Sequence, residues 1–341
     1  MSFKTMKKTP EFVWLFVITI LMLSSCAGKP ILVKFDGETQ GTYYAVTYYA
    51  DGGPNYQLQI DSLLHRFDSS ASLWKPNSIL SRINNNDSVK VDETLEILFN
   101  KSMKVSEESN GAFDITVGPL VSAWGFGFND RMKVDQHIVD SLLPLVNYHN
   151  LKLEEGRIIK SDPRIRMDFN AIAQGYAVDL VAGFLESKGI TSYLIDIGGE
   201  VLGKGTKPDK SEWNVGIEMP APDSLAERQV KAIVLLKDKA LSTSGNYRKY
   251  YEENGVRYSH TIDPATGYPV KHSLLSVSVL APDCMTADAY ATVMMVKGLE
   301  HSHQFLDAHP GVEAYFIYSD STGVMKTWFT PGFKKLIKEE L

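Results

Sequence analysis

The residues best suited to hold a metal ion are Asp288 and Thr292, which lie four positions apart in the segment TADAYATVMMVKG (286–298). Residues four apart on a helix share one face, so a carboxylate and a hydroxyl would point toward the same place. Together with a backbone carbonyl and water, these hard oxygen ligands suit Mg²⁺, which often pairs with phosphate groups. A helix with a capping aspartate and a core threonine gives the same pattern, so the pair alone does not decide between the two interpretations.

His260 stands just before the turn IDPATG (262–267), where it could act as a general base. The alternative is a histidine at the surface, or a core histidine whose ring nitrogens form hydrogen bonds. Ser242 and Ser244 do not form the G-x-S-x-G elbow that a serine hydrolase requires, so that class is not supported.

A central unit at 167–205 must position groups of this kind. Its apolar residues recur at helical spacing from Ile172, with Asp168 and Asn170 as candidate caps in front and Gly189 as the end of the helix. A buried strand and a Gly-Gly turn follow at 193–199. The unit is either an ordinary helix–strand crossover or an anion site at a helix N-terminus. It matches neither the Rossmann nor the P-loop spacing.

The remaining periodicities predict interleaved helices and strands, and therefore one domain rather than two. In the last long helix Thr286 is the predicted N-cap. A turn is predicted from Asp36 to Gly41. The predicted strands are 31–35, 42–49, 213–218, 232–236, 258–262, 274–280 and 312–318, and the predicted helices are 56–67, 94–109, 286–298 and 301–309.

Two stretches between these elements are rich in turn residues. Trp74 stands in a polar loop at 68–86, where it is either half-buried packing or a stacking platform for a flat ring. The stretch AFDITVGPLVSAWGFG (112–127) has too many Gly and Pro residues for one long helix. It is either backbone laid close to a ligand or a tight turn before a buried Trp124.

Composition excludes several classes of function. The net charge of −6 gives no support to nucleic-acid binding. The cysteines, Cys26 and Cys284, cannot form a disulfide framework or a zinc ribbon, and Cys284 is expected to be a buried or partly buried free thiol near a helix start.

The N-terminus has the pattern of an export signal. Three lysines in the first eight residues precede an apolar run at 12–23, which is too short to span a membrane. The ending LSSC, 23–26, resembles a bacterial lipobox, which implies cleavage after residue 25 and a lipid on Cys26. The alternatives are a plain signal peptide and a signal anchor. The lipobox predicts a protein anchored at a bacterial membrane and facing the periplasm or the exterior.

Six separated segments, in order, resemble the FAD:protein FMN transferase family, also called the ApbE family of flavin transferases. They cover nearly all of the chain after the lipobox, and their combination carries the resemblance. The segments are 40–42 (QGT), 72–84 (SLWKPNSILSRIN), 111–127 (GAFDITVGPLVSAWGFG), 167–179 (MDFNAIAQGYAVD), 259–270 (SHTIDPATGYPV) and 287–298 (ADAYATVMMVKG).

The resemblance implies an α+β fold, with mixed and antiparallel sheets packed against helices in a single ApbE-like, T-fold-like domain at 26–341. Such enzymes bind FAD and Mg²⁺ and move FMN onto a threonine hydroxyl of an acceptor flavoprotein, forming a phosphoester and releasing AMP. Their acceptors include subunits of sodium-translocating NADH:quinone reductase and of related electron-transport complexes.

Matching positions imply roles for individual residues. The carbonyl of Ala171 and the side chains of Asp288 and Thr292 resemble the metal site, and His260 resembles the base that deprotonates the acceptor threonine, so His260 and Asp288 are the catalytic candidates. The positions that resemble FAD contacts are Gln40, Trp74, Ala112, Phe113, Asp114, Asp168, Gln174 and Ile262.

Two residues depart from the family pattern. Gln40 replaces the methionine usual before Gly-Thr, and Gln174 stands where many members have Lys or Glu. The loss of a charge at Gln174 could shift the balance between transfer and hydrolysis. Two alternatives to the transferase remain. Some members of the family hydrolyse FAD, so the resemblance also allows an FAD pyrophosphatase that gives FMN and AMP, and a non-enzymatic FAD-binding lipoprotein is the other alternative.

Overall fold

The computed structural model describes residues 30–127, 134–220, 229–246, 250–253 and 256–341. The predicted signal peptide at 1–25 and the lipidation site Cys26 lie outside the described residues. Within the described ranges, no helix combines the length and the apolar character that crossing a membrane requires.

A large sheet forms the centre of the described structure. Its neighbouring strands are antiparallel throughout, so each strand must alternate its side chains between the two faces. In spatial order the strands are β1 (Ile31–Thr39), β2 (Thr42–Ala50), β5 (Tyr193–Ile197), β6 (Glu200–Lys204), β9 (Lys239–Gly245), β12 (Leu274–Ala281), β13 (Glu313–Ser319) and β14 (Met325–Phe329).

The other strands form small units. One is a three-stranded sheet in the order β15 (Ile337–Glu340), β8 (Val230–Leu236) and β7 (Trp213–Glu218), and two are hairpins. The hairpins pair β3 (Leu151–Glu154) with β4 (Arg157–Lys160) and β10 (Tyr250–Glu253) with β11 (Val256–Ser259).

The helices lie between these strands along the chain. They are α1 (Gln57–Ala71), α2 (Ile79–Asn84), α3 (Glu93–Glu108), α4 (Gly118–Ala123), α5 (Gln136–Leu142), α6 (Ala173–Ser187), α7 (Cys284–Ala308) and α8 (Pro331–Lys334). Gly298 interrupts α7 with a φ of 72°.

Alternation along β13 shows how the layers are arranged. Ala314 and Phe316 belong to the main core with α6 and α7, whereas Tyr315 and Ile317 pack with the residues of β7 and β8. Helices therefore cover one face of the large sheet, and the three-stranded sheet covers the other. This is the α+β arrangement of mixed elements that the sequence predicts.

Several local predictions are confirmed. The strand Tyr193–Ile197 has the predicted bounds. Gly189 has a φ of 77° after α6, and its N–H donates to Glu186 O at 2.9 Å, which is a glycine ending of the expected kind. Cys284 is a buried free thiol at the first position of α7.

Other local predictions are wrong. β1 continues to Thr39, so the turn is only Gln40–Gly41, because antiparallel pairing with β2 carries the strand through Asp36 and Gly37. The predicted strand at 258–262 ends at Ser259, and Ile262 forms only an isolated bridge with Pro269.

Both predicted helix caps are also wrong. The N-cap of α7 is Asp283, whose carboxylate accepts the N–H of Thr286 at 2.8 Å, so Thr286 is the donor and not the cap. α6 begins at Ala173 without a side-chain cap, because the carboxylate of Asp168 instead accepts the N–H of Asn170.

Candidate active site

The first turns of α6 and α7 meet at Gly175. Its N–H donates to Oδ2 of Asp288 at 3.0 Å. A Cβ at Gly175 would collide with the carbonyl oxygen of Cys284 and lie 2.8 Å from Cβ of Asp288. Glycine is therefore required here by the close approach of the two helices.

Asp288 is a buried carboxyl group with 6% of its surface exposed. Burial raises its pKa to about 7, which the hydrogen bond from Gly175 only partly opposes, and the charge of Asp179 raises it further. Among the described residues no lysine or arginine forms an ion pair with it. A cation at this position would make ionisation of the carboxyl favourable.

Thr292 lies one turn after Asp288, as its spacing predicts. Its Oγ1 is 3.4 Å from Oγ of Ser244 on β9, and Ser242 on the same face lies 3.6 Å from Sγ of Cys284. Ser244 is a neighbour of the site that was not predicted from the sequence. The sequence pattern that could have indicated it is the alternation of small residues at 240, 242 and 244, which lets α7 lie close to the strand.

The carbonyl of Ala171 stands one turn before Gly175. α6 begins at Ala173, so the N–H of Gly175 has no partner within the helix, and it donates to Asp288. No backbone N–H of the described chain reaches the Ala171 oxygen. A carboxylate, a hydroxyl and a carbonyl are hard oxygen ligands of the kind that Mg²⁺ takes.

The described chain contains no group of three or more His, Cys, Asp or Glu residues arranged to hold a metal. A metal at Asp288 would thus depend on one carboxylate, with other ligands from the backbone, Thr292, water and a bound phosphate. Mg²⁺ sites commonly have this composition.

Asp179 is a second carboxylate at the same helix junction, and its role there was not predicted from the sequence. Its two oxygens accept the N–H groups of Cys284 and Met285, each at 2.8 Å. Burial raises its pKa to about 7. The only local signal was its spacing of four from Gly175, the same spacing that separates Cys284 from Asp288.

Asp114 lies in a second group of predicted site residues. Its Oδ1 accepts the N–H and the hydroxyl of Thr116 at 2.8 and 2.6 Å, and its Oδ2 accepts the N–H of Tyr148 at 2.8 Å. Burial raises the pKa of Asp114 although these bonds oppose the shift. Phe113 is buried in the core and Ala112 is half-buried.

Asp168 lies beside this group. Its N–H donates to the carbonyl of Ile115 at 2.7 Å, which joins the loop before α6 to the segment 112–127. Its side chain is half-buried.

His260 and Ile262 form a third group, packed on the end of the same segment. Ile262 is buried with Leu120 and Trp124, and Nε1 of Trp124 donates to the carbonyl of Gly267 at 2.8 Å. The ring of His260 meets that of Phe126 edge to face at 6.3 Å. Trp124 is therefore buried, as the tight-turn interpretation expects, and its segment also carries the turn after His260.

Gln40 lies in the β1–β2 turn, and Gln174 lies in the first turn of α6, beside the β5–β6 turn. Gln40 has a φ of 52°, and its Nε2 is buried without a hydrogen-bond partner. A Cβ at Gly198 would lie 2.8 Å from Nε2 of Gln174 and 2.9 Å from Cγ2 of Thr42. The β1–β2 turn, the β5–β6 turn and α6 thus converge.

Trp74 lies on the loop between α1 and α2. It is 64% exposed, which favours a stacking platform over half-buried packing.

Comparison with known proteins gives one consistent family. The family model described as the ApbE family matches residues 40–316. An FAD:protein FMN transferase of Vibrio cholerae is 36% identical to this chain over 308 residues, which cover 87% of this chain and 91% of that relative.

Solved structures agree with the sequence match. The flavin transferase ApbE from Vibrio cholerae superposes with a TM-score of 0.80 at 33% identity, covering 90% of this chain and 99% of that one. The apo form of the flavinyl transferase ApbE from Pseudomonas stutzeri gives a TM-score of 0.81 at 32% identity, covering 92% and 99%. These similarities confirm the predicted fold class.

Proposed function

The chain belongs to the ApbE family, and from this premise we propose that it is an Mg²⁺-dependent FAD:protein FMN transferase. It takes FMN from FAD and attaches it through a phosphoester to a threonine hydroxyl of an acceptor flavoprotein, releasing AMP. The observation that carries this proposal is the buried carboxyl of Asp288, which has no cationic partner among the described residues and lies one helical turn from a second oxygen donor, Thr292.

The residues present fit a magnesium ion. Asp288, Thr292 and the carbonyl of Ala171 would hold it, since the junction offers oxygen donors and a desolvated carboxyl with a raised pKa. When bound, the ion neutralises charge on a pyrophosphate and orients it.

The segments with predicted FAD contacts are joined to one another by observed contacts. Asp168 bonds to Ile115 beside Asp114, Gln174 meets the turns at Thr42 and Gly198, and Ile262 packs on the segment 112–127. These contacts between segments support the proposal of a single extended FAD site near the start of α6.

The chain's own groups would act mainly by positioning. The threonine oxygen forms a bond to the FMN phosphorus, in line with the P–O bond of the pyrophosphate that breaks. AMP leaves with the oxygen that bridged the two phosphorus atoms. His260 takes the threonine proton as the new bond forms. The half-buried ring of His260, held beside Phe126, suits a base that must meet a partner protein.

We place this reaction at a bacterial membrane. The lipobox-like ending at Cys26 supports a lipid anchor facing the periplasm or the exterior, where subunits of sodium-translocating NADH:quinone reductase or related complexes would be acceptors. Cys26→Ser should abolish metabolic incorporation of a labelled fatty acid. Persistent labelling of that variant would contradict the lipid anchor.

The test of function uses the purified full chain in detergent, with FAD, Mg²⁺ and a threonine peptide from a quinone-reductase subunit. We expect the peptide to gain one FMN mass, with AMP released in equal amount and both products abolished by a chelator. AMP and free FMN with an unmodified peptide would favour the pyrophosphatase. Bound FAD without AMP would favour the binding lipoprotein.

His260→Gln tests the proposed base. Removal of a general base lowers the transfer rate by about 10²- to 10⁴-fold. FAD binding, measured by flavin fluorescence, should be nearly unchanged because the substitution leaves the metal site and the FAD contacts intact. Transfer at the wild-type rate would remove His260 from the mechanism.

A further inference from the structure

Helices α6 and α7 hold each other through two reciprocal carboxylate contacts. Asp179 of α6 accepts the N–H groups of Cys284 and Met285, and Asp288 of α7 accepts the N–H of Gly175. All three donors belong to the first turn of a helix, where backbone N–H groups have no partner within the helix. We call these five residues the helix clasp.

The spacing of the clasp fixes the two helices in one register. Gly175 and Asp179 are four apart on α6, and Cys284 and Asp288 are four apart on α7, so the two contacts are separated by one turn on each helix. Sliding or rotating either helix by one residue would break both contacts. The missing side chain of Gly175 lets the backbones approach closely enough for the clasp to form.

Capping alone does not explain Asp179. The N-cap of α7 is already Asp283, which accepts the N–H of Thr286 and its hydroxyl at 2.8 and 2.6 Å. Asp179 takes the two remaining donors from another element of the fold, 105 and 106 residues away in sequence. Its contacts therefore connect two helices, whereas those of Asp283 stay within one.

We propose that Asp179 is a positioning residue for divalent-cation binding. By holding the first turn of α7 against α6, it would keep Asp288 at the N–H of Gly175, one turn from the carbonyl of Ala171, where both groups could bind one ion. Asp179 touches neither the ion nor the substrate in this arrangement. The inference rests on the proposed function, because it assumes that Asp288 and Ala171 bind the metal.

The experiment compares Asp179→Asn with Asp283→Ala in the full chain in detergent. Bound Mn²⁺ is titrated by electron paramagnetic resonance with ADP present, since Mn²⁺ accepts the ligands of Mg²⁺ and ADP supplies a pyrophosphate without a flavin. An asparagine at 179 can accept only on its single oxygen and presents an N–H₂ group to the other donor. We expect its half-saturating Mn²⁺ concentration to rise about 10-fold or more, as for groups that orient metal ligands.

Asp283→Ala is the matched control because it removes a cap from the same helix without touching α6. Both variants should lower the thermal midpoint, but Asp283→Ala should leave Mn²⁺ binding unchanged. If Asp179→Asn binds Mn²⁺ as tightly as the wild type, the inference is wrong while the proposed function stands. If the wild type itself binds no Mn²⁺ with ADP, the proposed metal site fails and the inference with it.

Amide hydrogen exchange on the wild type keeps the inference testable even if Asp179→Asn does not fold. Because coupling between two sites is reciprocal, Mg²⁺ with ADP should slow exchange at the N–H groups of Cys284 and Met285. The N–H of Thr286, which Asp283 caps, is the internal reference and should change less. Equal exchange at Cys284 and Met285 with and without Mg²⁺ would overturn the proposed role of Asp179.

Discussion

Asp114 and Asp288 are both buried carboxyl groups in predicted site segments, but their oxygens have different partners. The oxygens of Asp114 accept three hydrogen bonds, two from Thr116 in the same segment and one from the N–H of Tyr148, 34 residues away. Asp288 accepts one, from Gly175. In both residues burial raises the pKa, and in neither does a described lysine or arginine form an ion pair.

This difference separates a carboxyl used by the fold from one kept for a ligand. A buried acceptor whose bonds are all made by the chain contributes to stability, and its loss leaves donors without partners. A buried carboxyl with spare acceptor capacity costs stability, and such groups are common at functional sites. We therefore expect a substitution at Asp288 to act mainly on activity and a substitution at Asp114 to act mainly on stability.

Of substitutions at these two carboxyl groups, Asp288→Asn should have the larger effect on activity. Loss of the charged ligand removes several kcal/mol of stabilisation of the reacting phosphate, so FMN transfer should fall by about 10³-fold. The thermal midpoint without metal should not fall, because the neutral amide avoids the cost of burying a charge and can still accept the N–H of Gly175. Transfer assays and thermal unfolding with a chelator measure the two effects. Unchanged turnover and Mg²⁺ dependence would remove Asp288 from the metal site.

Asp114→Asn should have its main effect on stability. The N–H₂ group of an asparagine must face either the donors of Thr116 or the N–H of Tyr148, which costs about 1–3 kcal/mol of unfolding free energy. The transfer rate per folded molecule should change much less than in Asp288→Asn. Urea unfolding provides the measurement. If stability is unchanged but FAD binding is lost, Asp114 is a ligand-binding carboxyl like Asp288.

The unfolding free energies of the wild type and of Asp114→Asn, compared across pH, show whether the folded state raises or lowers the pKa of Asp114. Burial raises the folded pKa of Asp114 above the unfolded value of about 4. Between these two values the folded protein holds a proton that the unfolded chain has lost, so stability falls as the pH rises through this window. Asp114→Asn removes this slope, and its difference from the wild type should shrink with rising pH. A difference that grows with pH would show that the folded pKa is lowered.

The sequence predicted the parts of the site that depend on local spacing. Asp288 and Thr292 could be paired because residues four apart on a helix share a face, and the end of α6 could be placed because Gly189 is a local signal. The cap of α7 was misplaced because Asp283 and Thr286 are both suitable cap types and only their contacts distinguish them.

The long-range half of the site could not be predicted in this way. The contact between Asp288 and Gly175 joins residues 113 apart, and that between Asp179 and Cys284 joins residues 105 apart. Neither pairing leaves a periodic signal. The same is true of Asp114, whose type predicts a site but whose partner Tyr148 lies 34 residues away. Whether a carboxyl is satisfied by the chain is decided by tertiary contacts of this kind.

Gly175→Ala sharpens the comparison by moving Asp288 without changing its chemistry. The new methyl group would lie 2.8 Å from Cβ of Asp288 and collide with the carbonyl of Cys284, so the helices must separate. We expect the half-saturating Mg²⁺ concentration for FMN transfer to rise about 10-fold. The stability lost through separation should exceed the helix propensity gained, which is about 1 kcal/mol.

Gly183→Ala in the same helix is the matched control. Gly183 is exposed, and a Cβ there would meet nothing within 4 Å, so the substitution should raise stability by up to about 1 kcal/mol and leave the Mg²⁺ requirement unchanged. The two substitutions are chemically identical. The new methyl group faces Asp288 at position 175 and solvent at position 183. If both variants keep the wild-type Mg²⁺ requirement, the close approach at Gly175 serves packing alone. Metal binding by Asp288 would then not depend on the position of α6.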